Sequence, residues 1–319
     1  MTMSDVTWVR RLAQDGRLYA ILAATGMSMK AVFVKLGYAA APVDALTMLA
    51  LRMSFALPLF LGLAWMARDP QAARLTPKDW LHIATLGFFG YYLASLFDFY
   101  GLETITAGLE RLILYLYPTL VLLFQVCLTK QCPSGRTLQA LGICYLGLGI
   151  GFIHDLHVTG MSDELLTGAA WVFASAVVYA LYFVGTGAVV KRIGAMRLAG
   201  LAGSASCLFV LLHYALAGDR AVLMTLPAAV WLNTGLMAVV STVVPIYWLS
   251  LAIARLDASQ TAAIGNLGPV LTVFASWLLL GEPLSVFQLG GLALVILGVA
   301  RLKPKATPAA TAAPKRASA

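Results

Sequence analysis

Six ionisable residues stand inside otherwise apolar stretches of this chain: Lys30, Lys35, Arg52, Asp98, Glu110 and Arg111. A charge at the centre of a bilayer costs about 2.5–3.5 kcal/mol on the insertion scale, so each of them calls for a partner or a task. At 1.5 Å of rise per residue, Lys30 and Arg52 lie about 12 Å inside the ends of their segments, and Glu110 and Arg111 about 10 Å. Asp98 sits nearer a segment end. Asp98 and Arg111 fall at similar heights on the two arms of a hairpin turning near Thr104, which predicts that they pair. Glu110 points about 100° away from Arg111 on the same helix and is expected to face a different neighbour, Lys30 or Arg52. Four cations against two anions make this layer positive on balance, which favours a ligand carboxylate in a low dielectric. The structural alternative is pairing without function, with Lys35 and Lys30 snorkelling to the interface.

Tyrosines supply the second set of candidates. A phenol hydroxyl in hydrocarbon needs a partner, so mid-segment tyrosines are expected to face a cavity, with Tyr91, Tyr92, Tyr179 and Tyr182 as its wall. Tyr115 and Asn266 each stand three residues before a proline, Pro118 and Pro269. Each proline removes a ladder hydrogen bond and frees the carbonyl four residues earlier, Leu114 and Gly265, so Pro118 and Pro269 are predicted hinges. The freed carbonyls and the Asn266 amide serve either a ligand or a capped kink. Trp65, Trp80 and Trp231 lie at segment ends, as an interfacial belt would. The loop His154-Asp155-Leu156-His157 fits no metal-site spacing, and no metal or cofactor is expected.

These residues need a scaffold, and composition restricts it. The chain is 61% hydrophobic and 11% charged, with a mean hydropathy of +0.85; soluble domains carry about 25% charged residues. Ten apolar segments are legible, at 17–39, 44–66, 80–101, 104–127, 136–153, 166–189, 196–217, 228–253, 257–280 and 284–302. A bilayer needs roughly 20 apolar residues per helix, and runs of this length exclude barrel strands.

The chain also contains itself twice. At an offset of 151, Trp80-Leu81 falls on Trp231-Leu232, Ala107 on Ala258 and Pro118 on Pro269; at 149, Gln139, Gly142 and Gly149 fall on Gln288, Gly291 and Gly298. Five segments per copy force the second copy into the membrane the opposite way up. The expected fold class is therefore an all-α membrane protein of ten transmembrane helices, arranged as two inverted five-helix repeats around a central cavity. Its parts are an N-terminal segment at 1–16, repeat 1 at 17–153, a hydrophilic linker at 154–165, repeat 2 at 166–302 and a disordered tail at 303–319. Gly147 and Gly151 in segment 5 are spaced for close helix packing.

The net charge of +8 follows topology. With the N-terminus in the cytoplasm, the Lys and Arg residues flanking the segments fall inside, and only Arg220 falls outside. This places both termini in the cytoplasm and makes a nucleic-acid partner unnecessary. Cys127, Cys132, Cys144 and Cys207 show no disulfide or zinc spacing.

Particular motifs then point to a family. The first segment reads Thr25-Gly26-Met27-Ser28 and later Lys35, and the second Ala50-Leu51-Arg52. The ninth reads Asn266-Leu267-Gly268-Pro269, then Leu280-Gly281-Glu282-Pro283-Leu284-Ser285. This resembles the EamA-type branch of the drug/metabolite transporter superfamily across residues 17–302, with Lys130-Gln131 departing where repeat 2 has Gly281-Glu282. The resemblance implies a bacterial inner-membrane exporter of small metabolites, most like an aromatic amino-acid exporter, working by alternating access and possible proton coupling. The other reading within transport is a broad drug or metabolite exporter or exchanger. A membrane-embedded transferase would need clustered carboxylates or a nucleophile with a base, and away from their end residues the apolar segments hold only Asp98 and Glu110 as acids. The expected partners are lipid and a small-molecule substrate; proton coupling through Glu110 or Asp98 against facilitated diffusion, and the oligomeric state, are left open.

Overall fold

The apolar runs are helical in the computed structural model, which describes residues 15–68, 74–130, 135–159, 162–256, 261, 264–265 and 267–301. No strand occurs among them. Seven helices are long and apolar enough to cross a membrane, and Leu138–His154, Leu267–Leu280 and Val286–Gly298 are shorter apolar helices. The ten expected segments are thus seven of full length and three shorter ones.

Segment 1 is two helices, α1 (Gly16–Ser28) and α2 (Lys30–Ala40), broken at Met29. No proline explains that break. Segment 2 is α3 (Ala45–Met66), with Asp44 accepting from Thr47 N at its start. Segment 3 is α4 (Pro77–Gly87), a π-helical stretch (Phe88–Leu93) and α5 (Ala94–Thr104). Segment 4 is α6 (Ala107–Leu114) and α7 (Tyr117–Thr129). The predicted Pro118 kink is seen here as a break at Tyr115–Leu116, because Pro118 cannot donate to Leu114 O.

Segment 5 is α8 (Gly135–Thr159) and segment 6 is α9 (Asp163–Ile193). Residues 154–165, expected as a linker, are therefore mostly helix, with Ser162 capping α9 by accepting from Leu165 N. Segment 7 is α10 (Ala195–Ala217), followed by the short α11 (Val222–Thr225). Segment 8 is α12 (Ala228–Ala238), a second π-helical stretch (Val239–Val243) and α13 (Val244–Leu256). Segments 9 and 10 are α14 (Leu267–Leu280) and α15 (Val286–Arg301). The predicted tail at 303–319 lies outside the described residues.

The two π stretches stand at the same place in the two copies. Phe88 and Val239 begin them, at the offset that aligns Trp80 with Trp231. Each closes with an N–H reaching five residues back, Ala94 to Phe89 O and Val244 to Val239 O. In segment 8 the following Pro245 fits only because segment 1 has glycine opposite: a Cβ on Gly26 would meet Pro245 Cγ at 2.5 Å and Val240 O at 2.7 Å.

Packing exchanges the copies. Segment 1 packs on segment 8 as segment 6 does on segment 3; segment 2 packs on segment 7 and segment 5 on segment 10. Helices α8 and α15 approach so closely that a Cβ on Gly147 would collide with Gly291 O, the small-residue packing expected of membrane helices. The main core, including Leu49, Met53, Phe60, Phe99 and Val210, fills the space between segments 1, 2, 3, 7 and 8.

Candidate functional site

The break in segment 1 sets Lys30 at the first residue of α2, aimed at the segment 3–4 hairpin. Its Nζ lies 2.6 Å from Asp98 Oδ2 and 3.3 Å from Glu110 Oε1. Glu110 also forms an ion pair with its neighbour Arg111, Oε2 to Nε at 3.5 Å. Asp98 is 2% and Glu110 0% exposed. This corrects the expected pairing: Asp98 is met by Lys30, not Arg111, and Glu110 bridges Lys30 and Arg111. Height along the helices placed these groups in one layer, but matching heights did not determine which side chains meet. The Arg111 guanidinium also folds back along α6, so the 100° between successive residues did not separate it from Glu110.

Arg52 and Lys35 are spoken for elsewhere. Arg52 donates from Nε to Thr242 Oγ1 at 3.1 Å, and its guanidinium lies 5.5 Å from the Phe99 ring centroid. Thr242 in turn donates to Met237 O, five residues back in the second π stretch. Lys35 Nζ donates to Leu102 O near the C-terminal end of α5, where carbonyls lack helical partners. The expected positive surplus is thus divided, and the cluster itself holds two cations and two anions. Buried atoms with no hydrogen-bond partner remain on both sides: Asp98 Oδ1 and Glu110 Oε2 as acceptors, Arg111 Nε and Nη2 and Arg52 Nη1 as donors.

Beside Arg111 runs a chain of tyrosines. Ring centroids step from Tyr115 to Tyr117 (6.3 Å), Tyr179 (5.1 Å), Tyr182 (5.9 Å) and Tyr91 (5.4 Å). Tyr182 and Tyr91 also share a hydroxyl–hydroxyl hydrogen bond at 3.4 Å. Arg111 is close enough to act electrostatically on Tyr115, Tyr117 and Tyr179. Tyr92 is not part of this run. It turns to segment 7, where its hydroxyl and His213 Nδ1 are 3.0 Å apart, because adjacent helix residues face different neighbours. Tyr91 and Tyr182 pack against Ile83, Leu86 and Leu198.

Two polar seams went unpredicted. The Ser28 hydroxyl lies 2.8 Å from Gly268 O, and Thr272 donates to Ser28 O at 3.1 Å. Groups freed at the segment 1 break are thus satisfied by segment 9, and the serine was visible in the Thr25-to-Ser28 motif. Glu282 Oε1 accepts from Ala107 N at 3.1 Å, as Glu103 Oε1 does from Ala45 N at 2.7 Å. A loop of the second copy thereby caps α6 of the first, so the one-sided acidic position has a partner across the molecule. Asn266 lies outside the described residues, while Pro269 is buried in the first turn of α14. His154 stacks on Phe287. Among the described residues no group of three His, Cys, Asp or Glu comes together as a metal would need.

A bundle of apolar helices with ion pairs buried beside the contact between two copies of one unit defines a polytopic membrane protein of the transporter class. The chain belongs to the EamA-like transporter family, whose model matches it twice, at residues 15–153 and 166–302. It is 31% identical over 307 residues to the uncharacterized transporter YcbK of Bacillus subtilis (strain 168), covering 92% of this chain and 96% of that protein. It is 28% identical over 231 residues to the uncharacterized transporter YyaM of the same organism, covering 70% and 72%. A crystal structure 20% identical in sequence shares the fold at a TM-score of 0.60, over 90% of this chain and 95% of the other.

Proposed function

We propose that this transporter moves amino acids, large neutral or aromatic ones foremost, out of the cytoplasm by alternating access, binding them between Lys30, Asp98, Glu110, Arg111 and the tyrosine run. The observation that carries the reading is a buried acceptor without a hydrogen bond, Asp98 Oδ1, in the same cluster as a buried donor without one, Arg111 Nη2. A zwitterion complements both at once, its carboxylate taking the guanidinium and its ammonium displacing Lys30 from the carboxylates. A ring on the same molecule then lies along Tyr115, Tyr117 and Tyr179. Tyr91 and Tyr182 extend the wall, Asn266 belongs to the same site on repeat 2, and Pro118 and Pro269 act as hinges.

The direction, the inner membrane, both termini in the cytoplasm and ten spans in two inverted repeats are part of this proposal. Support comes from the exchange of helix contacts between the copies and from the π stretches at matching positions, since two near-equivalent halves make two opposed conformations close in energy. Proton coupling runs through the two carboxylates, which release Lys30 when protonated.

Proteoliposomes loaded with a panel of labelled amino acids, with and without a pH gradient, test the proposal. Counterflow of at least one large neutral amino acid is expected, weakened and made less dependent on pH in Glu110→Gln. Counterflow of unrelated drugs or sugars in place of every amino acid overturns it.

A further inference from the structure

At the end of the bundle away from Glu103 and Glu282, segments 2, 3 and 7 leave a cavity of about 280 Å³ lined by Ala64, Trp65, Arg68, Leu75, Trp80, Arg197 and Leu201. Two features set it apart from the rest of that end. Arg68 and Arg197 form no ion pair among the described residues, whereas Arg192, in the neighbouring cavity with Lys78 and His82, is neutralised by Asp79 at 2.9 Å. The rim is also apolar and outward-facing, with Trp65 70% and Trp80 52% exposed and Met66 and Leu81 exposed beside them. Arg197 lies in the first turn of α10, whose N-cap is Gly194 and has no side-chain cap. A cation there opposes the helix dipole, and an anion would be drawn by both.

We infer that this notch holds the phosphate of an anionic phospholipid headgroup. Two guanidinium groups with no ion pair among the described residues supply charge-assisted donors for a phosphodiester. The indoles belong at headgroup depth, with acyl chains running down the exposed apolar face below them. The basic end is the one that the charge distribution assigns to the cytoplasm, whose leaflet carries the anionic lipid. A soluble phosphate would gain nothing from so apolar a rim.

The test uses the purified full-length chain in neutral detergent, titrated with dioleoylphosphatidylglycerol, dioleoylphosphatidylcholine or inorganic phosphate, and read by thermal stability and by native mass spectrometry. Phosphatidylglycerol is expected to be retained and to raise the melting temperature, and the other two are not. Each arginine removed weakens retention about fivefold, so R68Q/R197Q loses about 25-fold, while R192Q changes it less than twofold. If the double variant does not fold, the exposed Arg68→Gln alone carries the fivefold test. Equal retention by R68Q/R197Q or R68Q, equal binding of phosphatidylcholine, or full competition by millimolar inorganic phosphate overturns the inference.

Discussion

Segments 1 and 6 occupy equivalent places in the two repeats, yet one breaks after Ser28 while the other runs unbroken from Asp163 to Ile193. The first brings Lys30 to Asp98 and Glu110; the second brings Tyr179 to Tyr117. Duplication supplied one packing scheme, and divergence made segment 1 ionic and segment 6 aromatic. On the proposed reading, a ligand held between them meets charge at one end and rings at the other. The difference teaches that two copies can keep one packing scheme while matched segments take on different side-chain chemistry.

The most forceful way to break this comparison is Lys30→Met. It leaves Asp98 and Glu110 buried without their ammonium, and removing one member of a buried ion pair costs about 3–5 kcal/mol. Thermal unfolding in detergent and expression level measure it. Adding Asp98→Asn to the same chain leaves the Glu110–Arg111 pair whole and restores stability but not transport. If the double variant still transports, the Lys30–Asp98 pair has no part in recognition. Glu110→Gln alone is expected to fold and to flatten the dependence of efflux on pH; an unchanged pH profile removes the carboxylates from coupling.

Second in size is Gly147→Leu. Segments 5 and 10 touch through Gly147 and Gly291 with no room for a side chain, and overpacking of that kind costs about 1–3 kcal/mol. Because the atoms that a side chain at 147 would meet belong to Gly291, Leu294 and Val295 of segment 10 and not to the ionic or aromatic residues, the variant should lose stability while keeping its substrate preference. A change in preference would mean that the seam shapes the site.

Much of this was available before coordinates. Apolar run lengths located the helices, the 151-residue offset located the duplication, and the expense of buried charge singled out Lys30, Asp98 and Glu110. What failed was azimuth. Met29 interrupts segment 1 without proline or glycine, so the direction of Lys30 could not be projected from an ideal helix, and Arg111 was matched to the wrong carboxylate. Tyr92 was grouped with Tyr91 on residue type alone, although neighbours in a helix face different partners. The π stretches were invisible because no side-chain pattern encodes an N–H reaching five residues back.

Arg52→Gln sharpens the comparison at one of those stretches. The guanidinium bonds Thr242 where segment 8 widens into its π-helical stretch, and the position equivalent to Thr242 in the first copy is Tyr91, which bonds Tyr182 instead. Losing a hydrogen bond from a charged donor costs about 1.5–3 kcal/mol, part of which the shorter amide recovers if it still reaches Thr242. Counterflow at saturating substrate should slow while the concentration for half-maximal rate holds, because Arg52 touches the bend and not the ligand. A rise in that concentration at constant maximal rate would make Arg52 a ligand contact.

The smallest effect belongs to Tyr182→Phe. Its hydroxyl bond to Tyr91 is long, at 3.4 Å, and a neutral hydrogen bond contributes about 0.5–1.5 kcal/mol. Stability should therefore fall by no more than about 1 kcal/mol, since both rings keep their edge contacts. Tyr179→Phe is expected to differ, because Tyr179 packs on Tyr117 of segment 4, the segment that carries Glu110 and Arg111. Competition by phenylalanine against tyrosine in counterflow separates the two: the 179 variant should shift the ratio and the 182 variant should leave it alone. Equal shifts would mean that the tyrosine run acts as an undifferentiated apolar wall, and the ionic half alone would then select the ligand.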